Sequence, residues 1–95
     1  MADTISGQIT VTTAGTAVQG TDVASDGFIV KALATNTSSM YIGNDGADDV
    51  SSSSGFELSP GDQVIVDIRN LNKLWVDSAV DGEKVCWLAI SPIQV

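Results

Sequence analysis

Short stretches in which apolar and polar residues alternate run through most of this sequence, and clusters of turn-forming residues separate them. In the first stretch Ile5, Gly7, Ile9 and Val11 fall on one side of the chain, and polar residues lie between them. This alternation has the two-residue period of a strand that buries one face, and no segment sustains the 3.6-residue period of a helix. The pattern predicts about eight strands, at residues 5–12, 17–18, 28–34, 40–43, 56–58, 63–68, 74–80 and 84–90.

Turn signals between these stretches indicate how the strands are connected. Pro60-Gly61, at the centre of residues 59–62, fits a type II turn. Asp81-Gly82 is the strongest hairpin signal, and pairing across it would bring Trp75 and Trp87 close together. Short strands with frequent turns predict one all-β domain over residues 1–95, a β-sandwich or small β-barrel with about eight antiparallel strands and essentially no helix. Residues 1–4 and 91–95 are expected to form short terminal arms.

Three local features refine this prediction. The stretch 28–34 is apolar on nearly both sides, which indicates burial on both faces, the second one by a neighbouring subunit. Cys86 lies between Val85 and Trp87 and is expected to act as a small buried hydrophobe. Residues 44–55 are rich in Asp, Ser and Gly and form the longest predicted loop.

Acidic residues dominate the charge of the chain. Twelve Asp and Glu stand against four basic residues, for a formal net charge of −8. Such a charge repels phosphate backbones and anionic bilayers, so we expect neither nucleic acid nor membrane as a partner. The first residues lack the basic and apolar regions of a signal peptide, and no apolar run approaches the ~20 residues of a membrane span. We therefore expect a protein that is made in the cytoplasm and stays soluble.

The residues needed for common catalytic chemistry are mostly missing. The chain has no His and one Cys, which excludes His-based triads and Cys-rich zinc sites. Glu57 and Glu83 are the only glutamates, and both are interpreted as solvated acids beside turns rather than as a catalytic pair. The sequence predicts a protein that is not an enzyme and that needs no cofactor.

The aspartates in the long loop raise the question of a calcium site. With Asp45 as the first position of an EF-hand loop, the third and sixth positions are Ala47 and Val50, where a ligand and a glycine are required. The match fails, and no metal site is predicted. An irregular site that includes Asp48 and Asp49 stays open as an alternative to a solvated acidic loop.

The larger aromatic residues allow two interpretations. Trp75, Trp87 and Tyr41 are expected to serve in a core or in a protein interface, where large aromatic side chains of small domains are usually found. The alternative is that they form a platform on which sugar rings stack, as in a carbohydrate-binding module.

Five motifs in a fixed order resemble small virion proteins of tailed bacteriophages, of the head decoration or cement type. The likeness extends from about Ile5 to Ile90. The motifs are ITVTTAGTAV at 9–18, ALATNT at 32–37, MYIG at 40–43, GFELSPGD at 55–62 and LWVD at 74–77. Turns like that of residues 58–62 also occur in cupins, but cupin enzymes need metal-binding His residues, which this chain lacks.

The resemblance implies a jelly-roll-like β-sandwich or barrel that bridges neighbouring subunits of the major capsid protein, commonly as a homotrimer, and is located in the virion. It identifies no functional residues, because decoration proteins act through broad surfaces. A tail or baseplate component is the structural alternative, and a carbohydrate-binding module is the alternative from another class. The residues predicted to contact partners are Thr4, Ile5, Asp45, Asp48, Asp49, Trp75, Ile93 and Val95, together with the rest of the loop at 44–54.

Overall fold

The computed structural model of the protein describes residues 5–44, 50–51 and 54–90. These residues form eight β-strands and one three-residue 3₁₀ segment, Leu71–Lys73. The strands are β1 Ser6–Val11, β2 Val18–Gln19, β3 Phe28–Ala32, β4 Met40–Gly43, β5 Phe56–Leu58, β6 Gln63–Val66, β7 Trp75–Ser78 and β8 Glu83–Ala89. The predicted all-β fold with about eight antiparallel strands is confirmed.

The strands form two four-stranded antiparallel sheets that face each other. Sheet A has the order β1-β8-β3-β6, and sheet B has the order β2-β7-β4-β5. Only β4 and β5 follow each other within one sheet, so every other connection between consecutive strands crosses from sheet to sheet. This strand order is that of a jelly roll, and the predicted jelly-roll-like sandwich is confirmed.

The core lies between the sheets and is built from the apolar residues of the alternating pattern. Along β8 the even-numbered residues are less buried than Val85, Trp87 and Ala89, which point inward. Trp87 packs edge-on against Phe28, with ring centroids 6.0 Å apart. Of the two predicted roles, core or protein interface, Trp87 has the first, since it is buried in the core.

Gly7 is required beside Trp87. The two residues are opposite each other on β1 and β8, and both point into the core. A Cβ atom on Gly7 would lie 2.7 Å from Cζ2 of Trp87, closer than van der Waals contact allows. The glycine within the alternating stretch of β1 therefore leaves the space that the indole ring of Trp87 occupies.

The predicted type II turn at residues 59–62 is confirmed. The N–H of Asp62 donates to the carbonyl of Ser59 over 2.8 Å, and Gly61 has φ of 91°. A positive φ at the third position is the property for which this turn selects glycine.

The prediction of a hairpin at Asp81-Gly82 is wrong. β7 pairs with β2 and β4, whereas β8 pairs with β1 and β3, so the turn leads from one sheet to the other. The N–H of Gly82 donates to the carbonyl of Val11, which starts β8 beside β1. Trp75 and Trp87 consequently lie in different sheets and are not neighbours across a turn.

The boundaries of six of the eight predicted strands differ by one or more residues, and only those at 40–43 and 56–58 agree. β2 has two residues and pairs with β7, not with β1, because the preceding loop crosses to sheet B. The stretch 63–68 is a strand only as far as Val66, after which the N–H of Ile68 bonds back to the carbonyl of Val66. In the described residues no helix is long and apolar enough to cross a bilayer.

Candidate protein-interaction surface

The outer face of sheet A carries exposed apolar side chains that no other strand covers. Its side chains form rows across the four strands, and the central row is Ser6, Leu88, Ile29 and Ile65 in strand order. Ile65 is 68% exposed and Leu88 is 37% exposed. Contiguous exposed apolar side chains of this kind mark surfaces that bind other molecules.

A second row beside it has a different composition. It runs through Gln8, Cys86, Lys31 and Gln63 on β1, β8, β3 and β6. The short thiol of Cys86 lies between longer side chains, so the centre of the face is a shallow groove of about 460 Å³. The groove has an apolar floor and a rim of amide and ammonium groups. We call it the sheet A groove.

Ile90 extends the apolar character of this face. It follows β8, its N–H donates to the carbonyl of Gly27 over 3.0 Å, and it is 47% exposed. Three of the five large apolar side chains exposed in the described ranges are therefore near one another, Ile65, Leu88 and Ile90. The other two, Phe56 and Val80, lie on β5 and after β7.

The charged side chains of this face are positive, whereas the net charge of the chain is negative. The outward residues of the four strands include Lys31 and Lys84 but no Asp or Glu. Within residues 5–44, 50–51 and 54–90, both ion pairs involve Arg69, with Asp26 at 3.5 Å and Asp67 at 2.6 Å. The pKa of Arg69 is raised, first by its hydrogen bond to Asp67 and then by the neighbouring carboxylate charges. Neither Lys31, which lines the sheet A groove, nor Lys84, which lies on the same face outside it, has a carboxylate partner among the described residues.

Two expectations about this face need correction. Cys86 is half-buried on the outer side of β8, not a buried core residue, because its even position points away from Val85 and Trp87. Ile29 and Lys31, on the second side of β3, are half-buried by neighbouring side chains of sheet A. The expectation that a neighbouring subunit covers them stays a prediction.

Glu83 is not the solvated acid that the sequence suggests. It is 7% exposed, and its Oε1 accepts hydrogen bonds from the Thr37 N–H at 2.6 Å, the Thr37 hydroxyl at 2.9 Å and the Ser38 N–H at 2.7 Å. Next to it, the Asn36 amide donates to the Lys84 carbonyl and accepts from the Lys84 N–H. Glu83 therefore fastens the β3–β4 loop to β8, whereas Glu57 is exposed on β5. The two glutamates lie in different sheets.

Sheet B presents the remaining aromatic candidates. Trp75 and Tyr41 point outward from adjacent strands, opposite Gly43 and Asp77 respectively, and both are half-buried. Asp77 beside them is 1% exposed, and its Oδ1 accepts from the N–H groups of Gly15 and Ser78. The loop between β1 and β2 thus covers part of this face and limits the flat area around Trp75.

The predicted contact residues are distributed as follows. Ile5 is half-buried before β1 and packs against the core, and its carbonyl accepts from the N–H of Ala89. Trp75 lies on sheet B, far from the sheet A groove in the sandwich. The others lie outside the described residues: Thr4, Asp45, Asp48, Asp49, Ile93 and Val95. The groove was not predicted as a site, although the two-sided apolar pattern of β3 was the signal for it.

In the ranges that the structure describes, no three His, Cys, Asp or Glu side chains are grouped so that they could hold a metal ion. Comparisons of the chain with protein-family models, with curated proteins and with solved structures gave no match.

Proposed function

We propose that the protein is a non-enzymatic structural subunit of a phage virion, a decoration or cement protein that bridges subunits of the major capsid protein on the head. The observation that carries this proposal is the outer face of sheet A, where an apolar row borders a groove lined by Lys31, a lysine that has no carboxylate partner among the described residues. Jelly rolls occur in viral capsid proteins, which agrees with the resemblance of the sequence motifs. Fold alone does not define function, so the face is the stronger support.

The exposed apolar row favours a protein partner over a small substrate. The groove is shallow and carries polar groups at its rim, with Ile65 and Leu88 standing beside it. Such a surface gains binding energy mainly by burying apolar area, with the rim fixing orientation. A subunit repeated over a lattice can hold firmly through many weak contacts, because each bound copy raises the effective concentration of the next contact.

Cryo-electron microscopy of the parent particle tests this function. We expect density for the sandwich on the head lattice, and we expect Leu88→Asp to abolish it while the isolated protein still unfolds cooperatively. Val80→Asp is the matched control, because Val80 is 42% exposed but lies in the turn between β7 and β8 and is not one of the outward residues of the sheet A strands. Density confined to the tail would reject the head assignment in favour of a tail or baseplate component.

The terminal arms provide a second test of the same function. Removal of residues 91–95 is expected to weaken attachment to the particle more than it lowers the melting temperature of the isolated domain. Equal losses in particle binding and in thermal melts would contradict a role of this arm in assembly.

A carbohydrate-binding module is the competing function, and the pairing of Trp75 with Gly43 is the observation in its favour. A glycine opposite an outward Trp leaves the indole face open on one side, which suits stacking against a sugar ring. Trp87 cannot contribute, since it is in the core. Binding to a glycan array that Trp75→Ala removes without loss of folding would favour this competitor.

A further inference from the structure

The two sheets end in four edge strands, and β6 is the one least protected against pairing with another strand. Natural proteins protect sheet edges with charged residues, with prolines or by keeping the edge strand short. β2 has two residues, and β5 has three with Glu57 at its centre. β1 is longer, but its outward residues are polar and its inward Ile9 and Val11 are already buried, so a strand added there would cover little apolar surface. β6 has four residues, none of them charged and none a proline.

The backbone of β6 carries unpaired hydrogen-bonding groups at this edge. In an antiparallel pair, alternate residues of a strand bond to the neighbouring strand. The N–H of Ala32 donates to the carbonyl of Asp62 over 3.0 Å, so the even-numbered residues of this stretch bond to β3. The N–H and C=O groups of Gln63 and Ile65 therefore point away from β3, which is the sole strand beside β6 in the described part of the chain.

The side chains of β6 are incompletely covered on both faces of the sheet. Ile65 points outward and is 68% exposed, the largest fraction for any large apolar side chain in the described ranges. Val64 and Val66 point into the sandwich but are only half-buried, whereas Val30 and Phe28, opposite them on β3, are fully buried. One further strand beside β6 would cover both faces at once.

The space between the sheets is also open beside β6. Phe56 is opposite the buried Ile42, so its side chain points between the sheets, yet it is 56% exposed. Phe56 and Val66 line a cleft of about 360 Å³. A strand added to sheet A at this edge would therefore place its inward side chains near apolar groups of both sheets.

We infer that β6 pairs antiparallel with β6 of a second copy of this chain, in a two-fold dimer centred on Ile65. Each Ile65 N–H donates to the Ile65 carbonyl of the other copy, and Val64 of each copy lies opposite Val66 of the other. A copy of β6 supplies what the edge lacks, namely free backbone groups, an apolar outward side chain and two apolar inward ones. The outer row of Leu88, Ile29 and Ile65 then continues into the second copy, across a sheet of eight strands. Such a contact uses the same surface on both copies and closes at two.

Matched substitutions in the outer row test the dimer in solution. Sedimentation equilibrium of the full chain is expected to show twice the 9.8 kDa monomer and no larger species. Ile65→Asp places two carboxylates directly opposite each other and should weaken association about tenfold or more. Leu88→Asp is the same substitution in the same row, but Leu88 lies two strands from the edge, so this variant should dimerise within about threefold of the original.

A charge pair tests the register. Ile65→Lys should also fail to pair with itself, because like charges again meet across the two-fold axis. An equimolar mixture of Ile65→Asp and Ile65→Lys chains should associate about tenfold more tightly than either chain alone, since opposite charges then meet.

Oxidation tests the distance across the axis. Directly opposite residues of such a hydrogen-bonded pair have Cα atoms about 5.5 Å apart, within the range of a disulfide. With Cys86→Ser, which removes the single native thiol, Ile65→Cys should therefore form a disulfide-linked dimer and nothing larger. Leu88→Cys with the same Cys86→Ser change should form none.

Three results overturn the inference. They are a wild-type chain that stays at 9.8 kDa up to about 1 mM or forms trimers, a Leu88→Asp variant that loses the dimer as Ile65→Asp does, and a charge mixture no tighter than its components. The proposed function fails separately. A monomer that still decorates particles keeps that function, whereas a dimer that never appears on particles keeps the β6 contact and loses the function.

Discussion

Replacement of the two glutamates gives a direct measure of what the buried carboxylate contributes. Glu83→Ala leaves the N–H groups of Thr37 and Ser38 without their acceptor. A donor left unsatisfied costs about 1–3 kcal/mol, and the lower end applies here because Thr37 is exposed and Ser38 is half-buried, so water reaches both. Summed over the three hydrogen bonds that Oε1 of Glu83 accepts, the expected loss is about 2–3 kcal/mol. This loss corresponds to about 8–24 °C in melting temperature for a domain of this size.

Glu83→Gln separates the charge from the acceptor. The amide keeps one oxygen for the same three donors, but hydrogen bonds to a charged group are about twice as strong as neutral ones. We expect a loss of about 1 kcal/mol, or about 4–8 °C. The control is Glu57→Gln, the same change at the other glutamate of the chain, which is exposed and should alter stability by no more than about 0.5 kcal/mol.

Urea unfolding followed by tryptophan fluorescence measures all three variants on one scale. The order of stability should be Glu57→Gln, then Glu83→Gln, then Glu83→Ala. A Glu83→Gln variant as stable as the wild type, or a Glu57→Gln variant as unstable as Glu83→Gln, would show that the β3–β4 loop does not depend on this carboxylate.

Two further changes probe packing and capping. Gly7→Ala should lower the free energy of unfolding by about 1–3 kcal/mol in urea unfolding, because the added methyl group overlaps Trp87. Ser6→Ala, on the exposed side of β1, is the control and should have little effect. Equal effects of the two changes would reject the packing argument. Asn70→Ala should cost about 1–2 kcal/mol in thermal melts, since its Oδ1 accepts from the N–H groups of Asn72 and Val23. Asn70→Ser keeps a capping oxygen and should keep part of that stability, whereas Asn70→Asp would place a second carboxylate against Asp22, to which the Asn70 amide donates over 2.7 Å. A Ser variant as unstable as the Ala variant would contradict the capping role.

The sequence predicted the strands well because the sandwich buries one side of each of them. The two-residue period places Ile9 and Val11 on one side of β1 with polar residues between them, and in the structure both are buried whereas Thr10 is exposed. The turn at Pro60-Gly61 was equally readable, because its geometry is set by local backbone preferences. Local information of this kind determines where strands begin and which way their side chains point.

Strand pairing could not be predicted in the same way. Asp81-Gly82 is a tight turn in the structure, but a turn signal does not state whether the following strand pairs with the preceding one or crosses to the other sheet. The choice depends on which partners β7 and β8 find far away in sequence, β4 and β3 among them. The burial of Glu83 has the same origin, since its three donors lie about 45 residues earlier in the chain.

The same distinction between local and long-range information applies to the candidate site. The apolar second side of β3 indicated an unusual face, but the groove requires Cys86, Leu88 and Lys31 to meet on two neighbouring strands. That register is a product of the jelly-roll order. Residues near the ends of the chain were predicted as contacts from their position alone, and most of them lie outside the described residues.

The position of β8 has a consequence for how this protein folds during its synthesis. It is the last strand described, yet it fills the middle of sheet A between β1 and β3. While a ribosome is still making it, the earlier strands of that sheet have a gap where their shared neighbour belongs, and their apolar sides stay open to water and to other chains. The fold can therefore be completed only after residue 89 has been translated. β8 must then pair with β1 and β3, which lie far away in sequence, and such long-range pairing is slow.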